Sequence, residues 1–238
     1  APNPAETAIL TVYVSEDKAK VMSSSWGICE KESGKAAMAA VDTLLQEAAS
    51  QGQAFVVAAG DEGSTDCYTS SNKDESLAVD FPGSAPFATD VGGTRMEDPT
   101  AATPTEYLWN EAPRWGASGG GISEHFPMPA YQGELPESGL GVIGPLSSGE
   151  ACGFAGYCRE VPDVSADADV QTGYVAFENG GWLVDGGTSA AAPLWAAIAV
   201  LANASPACEG KPIGFANPAL YEIAAKHYAA NYRDITQP

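Results

Sequence analysis

The sequence predicts an α/β fold built on a central, mostly parallel sheet. Residues 20–27 look like a strand that ends at a glycine, and residues 54–59 form a continuous apolar run, which is typical of a strand buried on both faces. Between them, residues 35–50 carry apolar side chains at the three-and-four spacing of an amphipathic helix. Strand, helix and strand in this order form a βαβ unit, which crosses over right-handedly between parallel strands. The 238 residues suffice for one large domain of this class.

The other elements are predicted from shorter patterns along the chain. Residues 9–14 alternate β-branched and aromatic side chains, as strands do. Asn179 and Gly180 lie between two apolar segments and predict a hairpin turn. In chain order we expect strands at 9–14, 88–94, 174–177 and 182–184, helices at 190–202 and 218–230, and irregular chain at 79–82, 97–115 and 127–150.

The charge balance limits the partners that the chain can have. Its 31 acidic and 11 basic residues give a net charge of −20, which argues against nucleic acid and anionic membranes. No apolar stretch reaches the roughly 18 residues that a membrane span needs. A surface of this sign repels itself at neutral pH, and the repulsion fades as carboxylates bind protons. The composition therefore favours adaptation to acidic surroundings, although solubility alone accounts for the same balance.

The five cysteines indicate an oxidising compartment. None falls in a Cys-x-x-Cys pair, so a structural zinc site is not expected. Cys152 and Cys158 bracket a turn-like segment and could close a small disulfide loop, while Cys29 and Cys67 each follow a predicted strand end and could pair. Cys208 is left over, either free or paired outside the chain. Because disulfides form in oxidising compartments, we expect a secreted, extracellular protein.

A serine in a glycine-rich segment is the first candidate functional residue. Ser189 follows Gly186, Gly187 and Thr188, and it precedes an apolar run with Pro193 near its start. The glycines permit sharp backbone geometry, and the start of a helix favours developing negative charge. Ser189 is therefore either a nucleophile or a helix-capping serine, and both readings stay open at this point.

Two further segments follow the predicted strands. Parallel sheets bind ligands beyond the carboxyl ends of their strands. Asp61 comes directly after the strand at 54–59 and is either a site residue or an ordinary turn aspartate. Residues 116–123 hold too many glycines for a core strand. They suit either backbone that lies against another extended chain or a flexible loop.

The two histidines do not supply an obvious base for Ser189. An esterase nucleophile elbow needs Gly-x-Ser-x-Gly, which residues 187–191 lack. A subtilisin-type site would need His125 or His227, and both look like ordinary residues. The aspartates within residues 162–169 offer only an incomplete calcium pattern. A serine nucleophile in this chain therefore needs a base other than histidine.

Short blocks along nearly the whole chain resemble those of the sedolisin (serine-carboxyl peptidase) family, in the family's order. They are Ser-Ser-Trp-Gly at 24–27, Ala-Ala-Gly-Asp at 58–61, Asp-Phe-Pro at 80–82, Val-Gly-Gly-Thr at 91–94, Trp-Asn at 109–110, residues 116–123, Pro-Asp-Val at 162–164, residues 186–193 and Asp-Ile-Thr at 234–236. The resemblance implies a subtilisin-like three-layer α/β/α fold with a central, mostly parallel sheet, in a single peptidase domain over residues 1–238. It also implies a secreted endopeptidase or tripeptidyl-peptidase that cleaves polypeptides at acidic pH.

The same resemblance implies roles for individual residues. Ser189 is the nucleophile that forms an acyl-enzyme, and Asp61 matches the family's oxyanion aspartate, where subtilisins have an asparagine. A carboxyl group donates a hydrogen bond only when it is protonated, so activity is expected to fade as the pH rises. The residues expected to bind the substrate backbone are Ser25, Trp26, Gly27, Ser118, Gly119 and Gly120.

Two departures from the family pattern concern the base and a metal. The family's base is a glutamate oriented by an aspartate four residues later, on a helix before this chain, and neither Glu6 nor Glu30 has that pattern. The family's calcium site begins at Asp234 and the Ile235 carbonyl, but the ligands that complete it are absent. We therefore expect a peptidase domain that is incomplete at both ends, with a structural calcium ion only partly ligated by this chain.

Three explanations account for the missing base. The sequence is an incomplete part of a working enzyme, or a second chain or propeptide carries the Glu/Asp pair, or the chain is a truncated homologue that binds peptides or inhibitors without cleaving them. Retention of Ser189 and Asp61 favours the first two. A subtilisin-type enzyme that uses His125 is a more distant alternative.

Overall fold

A computed structural model describes residues 4–98, 100–112, 114–133 and 156–236, with side chains from residue 7 onwards. Its helices are α1 (Pro4–Glu16), α2 (Lys35–Ser50), α3 (Ala130–Gly133), α4 (Thr188–Asn203) and α5 (Asn217–Asn231). Its strands are β1 (Val21–Ser24), β2 (Ile28–Cys29), β3 (Ala54–Ala58), β4 (Asp80–Phe81), β5 (Thr89–Glu97), β6 (Thr105–Leu108), β7 (Gly121–Pro127), β8 (Cys158–Val161), β9 (Val164–Asp167), β10 (Tyr174–Glu178) and β11 (Gly181–Asp185).

The central sheet is mostly parallel, as the sequence predicts. Strand β3 pairs in parallel with β1 and with β5, and β5 pairs in parallel with β9. The second half of β5 pairs antiparallel with β6, which is the exception to the parallel arrangement. The predicted βαβ unit is therefore β1, α2 and β3.

Strand β3 separates two hydrophobic cores, which makes the fold three-layered. Its side chains alternate between the two faces of the sheet. Phe55 and Val57 pack into a cluster with residues of α1 and α2, whereas Val56 and Ala58 pack into a second cluster with α4. All five residues of the strand are buried. Helices therefore cover both faces of the sheet, as expected for an α/β/α fold.

Several predicted elements are confirmed with small changes of length. Helix α2 spans the predicted residues, α5 extends the last predicted helix by one residue at each end, and β10 and β11 form the predicted hairpin. The turn residues Asn179 and Gly180 both have positive φ angles, as such a tight hairpin turn requires. Strand β5 extends beyond the predicted end at residue 94, because residues 95–97 pair with β6.

The strand predicted at residues 9–14 is wrong, because this segment belongs to α1. Leu10 and Val14 are buried, whereas Ile9 and Val12 are exposed, which is the spacing of a helix that packs along one side. The Tyr13 hydroxyl donates to the carbonyl of Ala54 and holds the helix against the start of β3. The β-branched composition suggested a strand, and packing against the core overrode that propensity.

The irregular chain predicted at 79–82 and 97–115 contains two strands. Residues 105–108 form β6, and β4 pairs antiparallel with β2. The disulfide between Cys29 and Cys67 anchors the end of β2, so that predicted pairing is confirmed. Helix α3 lies within the predicted loop at 127–150, and the rest of that loop, from residue 134 on, lies outside the described residues. Cys152, which was predicted to pair with Cys158, also lies outside the described residues.

The aspartates of residues 162–169 do not converge on a common ligand site. Asp163 forms a fully buried, two-pronged ion pair with Arg159. Asp167 accepts a hydrogen bond from the backbone of Met96, and Asp169 pairs with Arg95. Each carboxylate thus contacts a different partner, and in the described parts of the chain no cluster of three or more metal-binding side chains occurs.

The helical assignment of α1 makes a direct mutational prediction. In a strand, positions 12 and 14 would share one face, whereas in α1 Val14 is buried and Val12 is 53% exposed. We expect Val14→Ala to lower the free energy of unfolding by about 2 kcal/mol, since it removes two buried methyl groups and leaves a cavity. The matched Val12→Ala change is expected to stay within about 0.5 kcal/mol. Urea unfolding measures both, and equal losses would contradict the helix.

Candidate active site

A small polar cavity lies where two strands of the sheet end and α4 begins. Its volume is about 180 Å³. Residues that follow β1 and β3 meet the first residues of α4 there, so the structure brings the predicted Ser189 and Asp61 to one cavity. The lining residues are Ser25, Gly27, Ala58, Gly60, Asp61, Asp80, Thr188 and Ser189. A larger cavity, of about 400 Å³, lies beside β9 and α5 and includes none of these residues.

Thr188 fixes the carboxyl group of Asp61. The backbone N–H of Thr188 donates to Asp61 Oδ1 over 2.8 Å, and Thr188 Oγ1 lies 2.8 Å from the same oxygen. Thr188 Oγ1 also lies 3.2 Å from the carbonyl oxygen of Gly60. Thr188 is 1% exposed, so water does not compete for these bonds. The first turn of α4 is thereby tied to the end of β3.

The second oxygen of Asp61 faces the turn into the serine. A β-carbon on Gly187 would come within 2.6 Å of Asp61 Oδ2, and Gly187 has a φ of +79°. Both facts require glycine at this position. The backbone N–H of Ser189 belongs to the first turn of α4, whose N–H groups have no acceptor within the helix. A developing oxyanion beside Ser189 would therefore find that N–H and, when the carboxyl is protonated, Asp61 Oδ2.

The backbone of Ser189 is held by Ser25. Pro193 is the sixth residue of α4 and so lies in its second turn. Because proline has no N–H, it leaves the Ser189 carbonyl without its helical donor. Ser25 Oγ supplies the replacement by donating to that carbonyl over 3.1 Å. The residue that follows β1 thus supports the backbone of Ser189.

Within residues 116–123, for which the sequence left close backbone contact and a flexible loop both open, residues 117–119 lie against the backbone of residues 60–61 of the same chain. Gly119 N–H donates to the Gly60 carbonyl, and Ala117 N–H donates to the Asp61 carbonyl. A β-carbon on Gly119 would come within 1.8 Å of the Ala59 carbonyl oxygen. This close approach needs glycine and fixes the backbone on both sides of Asp61.

The predicted substrate-binding residues differ in what they still offer. Ser25 and Gly27 line the cavity, and the Trp26 side chain is 62% exposed beside them. The N–H groups of Ser118 and Gly119 are already used by the Trp109 and Gly60 carbonyls. Within residues 118–120, Gly120 is therefore the residue that could still bind a substrate backbone, because the N–H groups of Ser118 and Gly119 are occupied.

Two carboxyl groups beside the cavity were not among the predicted site residues. A β-carbon on Gly60 would come within 2.6 Å of Asp66 Oδ1 and 3.4 Å of Asp80 Oδ2. A β-carbon on Gly27 would come within 1.8 Å of Asp80 Oδ1. Asp66 is thus packed against Gly60, and Asp80 is packed against both Gly60 and Gly27. The Asp-Phe-Pro block at 80–82 was the sequence signal that could have identified Asp80.

Burial raises the pKa of several carboxyl groups. Desolvation, with the nearby charges of Glu62 and Asp61, raises the pKa of Asp66 to about 7. Desolvation and the charge of Asp163 raise the pKa of the fully buried Asp90 well above its ordinary value. Burial also raises the pKa values of Asp42 and Asp167. These groups hold protons at pH values at which exposed aspartates are ionised.

The remaining candidates lie away from the serine or serve the fold. His125 stacks edge-on against Phe126 in β7, and His227 lies at a kink in α5. Glu30 is buried, and its carboxylate accepts hydrogen bonds from Ser123 Oγ and Glu124 N–H. None of them lines the cavity at Ser189. Among the described residues, no side chain forms a hydrogen bond with Ser189 Oγ, so a base for it is not found there.

Asp234 and Ile235 follow α5 and supply few ligands for a metal. Asp234 Oδ1 accepts a hydrogen bond from the Tyr228 hydroxyl, and Ile235 lines the larger cavity. Calcium takes six to eight oxygen ligands, whereas this pair offers one carboxylate and one carbonyl. By themselves, the described residues of this segment do not fit a calcium ion.

Helix α4 is apolar on both of its faces. The face that packs on the sheet consists largely of alanines, among them Ala191, Ala192 and Ala196. The outward face carries larger apolar residues, and Leu194, Ile198 and Leu201 are 41%, 45% and 71% exposed. A helix that is hydrophobic all round is typical of a protein interior. Ser189, in the first turn of the same helix, is also exposed.

Comparison with known proteins supplies the family. The profile of the Subtilase family (Peptidase S8) matches residues 3–211. Kumamolisin of Bacillus sp. (strain MN-32) is 37% identical over 222 residues, which cover 92% of this chain and 36% of kumamolisin. Human tripeptidyl-peptidase 1 is 33% identical over 217 residues, which cover 90% of this chain and 35% of that protein. The chain thus spans about a third of the length of these relatives.

A solved structure confirms the fold class. Pseudomonas sedolisin, a serine-carboxyl proteinase determined in complex with two molecules of pseudo-iodotyrostatin, superposes with a TM-score of 0.77 at 27% identity. The match covers all of this chain and 61% of that chain. The predicted subtilisin-like three-layer fold with a mostly parallel central sheet is therefore confirmed.

The raised pKa of Asp66 predicts how stability depends on pH. The unfolded chain releases the Asp66 proton near pH 3.8, whereas the folded chain holds it to about pH 7. The folded state therefore binds more protons across this window, and its stability falls as the pH rises from about 4 to about 7. We expect Asp66→Asn to flatten that fall, as measured by Tm at pH 4.5 and 7.5. Asp98→Asn, at an exposed position, is the matched control and should leave the fall unchanged; an equal effect would contradict the assignment.

Proposed function

We propose that this chain, which belongs to the subtilase family as a sedolisin-like domain, is the serine-bearing part of a secreted serine-carboxyl peptidase that cleaves polypeptides at acidic pH. The observation that carries the proposal is the bond between Thr188 and Asp61, which places a carboxyl oxygen beside the serine at a helix start. Sedolisin-like relatives with peptidase names support the reaction class.

The proposed reaction begins with attack of Ser189 Oγ on a peptide carbonyl, which gives a tetrahedral intermediate and then an acyl-enzyme. The negative charge of the carbonyl oxygen would be stabilised by the Ser189 N–H and by a proton on Asp61 Oδ2. Because an ionised carboxylate has no proton to donate, this stabilisation is lost as Asp61 ionises. The geometry therefore supports a preference for acidic pH.

The proton acceptor for Ser189 is proposed to come from a Glu/Asp pair outside these residues, on another segment of the complete protein or on a second chain or propeptide. Ser189 Oγ needs a base to become a nucleophile. The outward face of α4, which follows Ser189 along the same helix, exposes large apolar residues. We propose that the segment with the acidic pair covers this surface, which would bury the apolar side chains and deliver the base together.

Substrate binding is proposed on both sides of the serine. Ser25, Trp26 and Gly27 would contact the backbone of the polypeptide on one side, and the segment of Ser118, Gly119 and Gly120 would contact it on the other. The exposed Trp26 side chain and the cavity-lining Gly27 support the first group. Whether the cleavage is internal or removes tripeptides depends on how the ends of the cleft are closed.

Secretion is part of the proposal. The disulfide of Cys29 and Cys67 is of the kind that persists in oxidising compartments. Across the described ranges, no helix is both long and apolar enough to cross a bilayer. The negative charge of the chain disfavours nucleic acid and anionic lipid as partners.

The rival function is that of a non-catalytic homologue that binds peptides or inhibitors. The observation that favours it is that no described side chain bonds to Ser189 Oγ. Intact mass and N-terminal sequencing of the purified protein separate the two readings. An additional segment or chain with Glu-x-x-x-Asp supports the enzyme, whereas a protein of these 238 residues alone supports the rival.

Cleavage of a denatured protein substrate at about pH 4 tests the enzyme directly. With the complete protein, Ser189→Ala should abolish turnover, since it removes the nucleophile. Asp61→Ala should lower kcat by roughly 10²–10³-fold, as expected for loss of one oxyanion donor. Circular dichroism of each variant serves as the control for folding. Equal cleavage by the wild type and Ser189→Ala would rule out the assigned nucleophile.

A structural calcium ion is proposed on the family's pattern, with Asp234 and Ile235 as two of its ligands and the rest from beyond the described residues. For the complete protein, we expect 1 mM EDTA to lower Tm relative to 1 mM CaCl₂, because an ion that binds only the folded state stabilises it. Asp234→Asn should reduce that difference. An identical Tm in both solutions would remove calcium from the proposal.

A further inference from the structure

We propose that Thr188 is a positioning residue that assigns the proton of Asp61 to Oδ2, the oxygen that faces the turn into Ser189. The inference rests on the proposed function for its catalytic consequence. Thr188 touches neither the substrate nor the reacting atoms in this proposal, and it acts through Asp61 alone.

The backbone of Thr188 identifies the accepting oxygen. Its N–H lies 2.8 Å from Asp61 Oδ1, and an N–H group can only donate. Oδ1 therefore has to present a lone pair at this position. In a neutral carboxyl group the carbonyl-type oxygen is the better acceptor, so the proton is directed to the other oxygen, Oδ2.

The hydroxyl of Thr188 has a single proton and two acceptors in reach. In one arrangement it donates to Asp61 Oδ1 over 2.8 Å, and the proton of Asp61 is on Oδ2. In the other, Asp61 donates from Oδ1 to Thr188 Oγ1, and the hydroxyl donates to the Gly60 carbonyl over 3.2 Å. The second arrangement uses the longer distance and places an Oδ1 proton against the N–H of Thr188. The first arrangement is therefore favoured.

Among the groups around Asp61, Thr188 is the one that distinguishes between the two carboxyl oxygens of Asp61. The neighbouring titratable groups are the carboxyls of Glu62, Asp66 and Asp80, from the chain after β3 and from β4. Among the described residues, no Lys, Arg or His side chain lines this cavity. None of these carboxyls distinguishes between the two oxygens of Asp61, whereas the two donors of Thr188 both point at Oδ1.

The consequence is testable because the hydroxyl acts on two quantities in opposite directions. By donating to Oδ1, it orients the carboxyl for catalysis, and it also stabilises the ionised carboxylate. Its removal should therefore lower kcat and, at the same time, move the alkaline limb of the pH profile to higher pH. A purely structural contribution of Thr188 would lower activity without moving that limb.

The experiment compares Thr188→Val, which keeps the shape and removes the hydroxyl, with Thr188→Ser, which keeps the hydroxyl. In the complete enzyme, kcat/KM is measured from pH 3 to pH 7 for both variants and the wild type. We expect Thr188→Val to lower kcat by about tenfold and to raise the alkaline limb by about one pH unit, the size of one hydrogen bond to a charged group. Thr188→Ser should restore both.

Three results would overturn the inference in an enzyme that cleaves. The first is a shift of the alkaline limb to lower pH in Thr188→Val, which would place the proton on Oδ1. The second is an alkaline limb that does not move in Thr188→Val. The third is a Thr188→Ser variant that behaves like Thr188→Val. A second readout does not depend on turnover: the ¹³Cγ chemical shift of Asp61, followed through its titration. If the titration of Asp61 moves to higher pH in Thr188→Val and returns in Thr188→Ser, the inference is supported even when the wild type cleaves no substrate. Absence of cleavage would then count against the proposed function alone.

Discussion

Two donors on one residue, both directed at one oxygen of Asp61, are the interaction on which the site depends. They join the end of β3 to the start of α4, so the position of the serine helix is set by the strand that forms the centre of the sheet. The join is possible because Gly60, Gly187 and Gly119 have no side chains where their α-carbons approach carboxyl or carbonyl oxygens. A side chain at any of the three would separate the elements that the site needs in contact.

The interior of the protein favours the same acidic range that the proposed reaction would need. Arg159 and Asp163 form a buried ion pair in which the charges balance, and the Tyr221 hydroxyl also donates to Asp163. Asp90 donates its backbone N–H to that pair, but its carboxyl has no cation of its own, so desolvation raises its pKa. Neutral carboxyls inside and a net charge of −20 overall both become less favourable as the pH rises. Stability and the proposed oxyanion donation would therefore weaken in the same direction.

The sequence predicted the sheet and the principal pair of site residues because both leave local signals. A buried run bounded by glycines marked β3, three-and-four spacing marked α2, and Ser189 and Asp61 each lie beside glycines at the ends of regular elements. Residues 9–14 were mistaken because their β-branched side chains fit a strand locally, and only contacts distant in sequence bury Leu10 and Val14 as one helix face.

The parts of the site that escaped prediction depend on distant contacts. Asp66 and Asp80 meet beside Gly60 only after β4 has paired with β2, and their spacing in the sequence shows nothing of this. In the sequence, Thr188 is simply the residue before Ser189, and only the structure shows its bonds to Asp61. Pro193 lies in the second turn of α4, where the hydroxyl of Ser25, just after β1, replaces the donor that proline lacks. Propensities report on neighbours in the chain, whereas each of these roles is set by neighbours in space.

The base and the outward surface of α4 pose a single physical problem. Small alanines lie on the sheet side, and the larger Leu194, Ile198 and Leu201 face outward, which reverses the usual arrangement of a surface helix. Exposed apolar surface of this kind is stabilised by whatever covers it, and Ser189 is exposed in the first turn of the same helix. A covering element that begins at the serine has to present polar atoms there, because the serine hydroxyl, once removed from water, needs a hydrogen-bond acceptor. A carboxylate at that end of the covering element would accept the hydrogen bond of the serine hydroxyl and serve as its base. One element would then supply both the base and the cover of the outward face of α4.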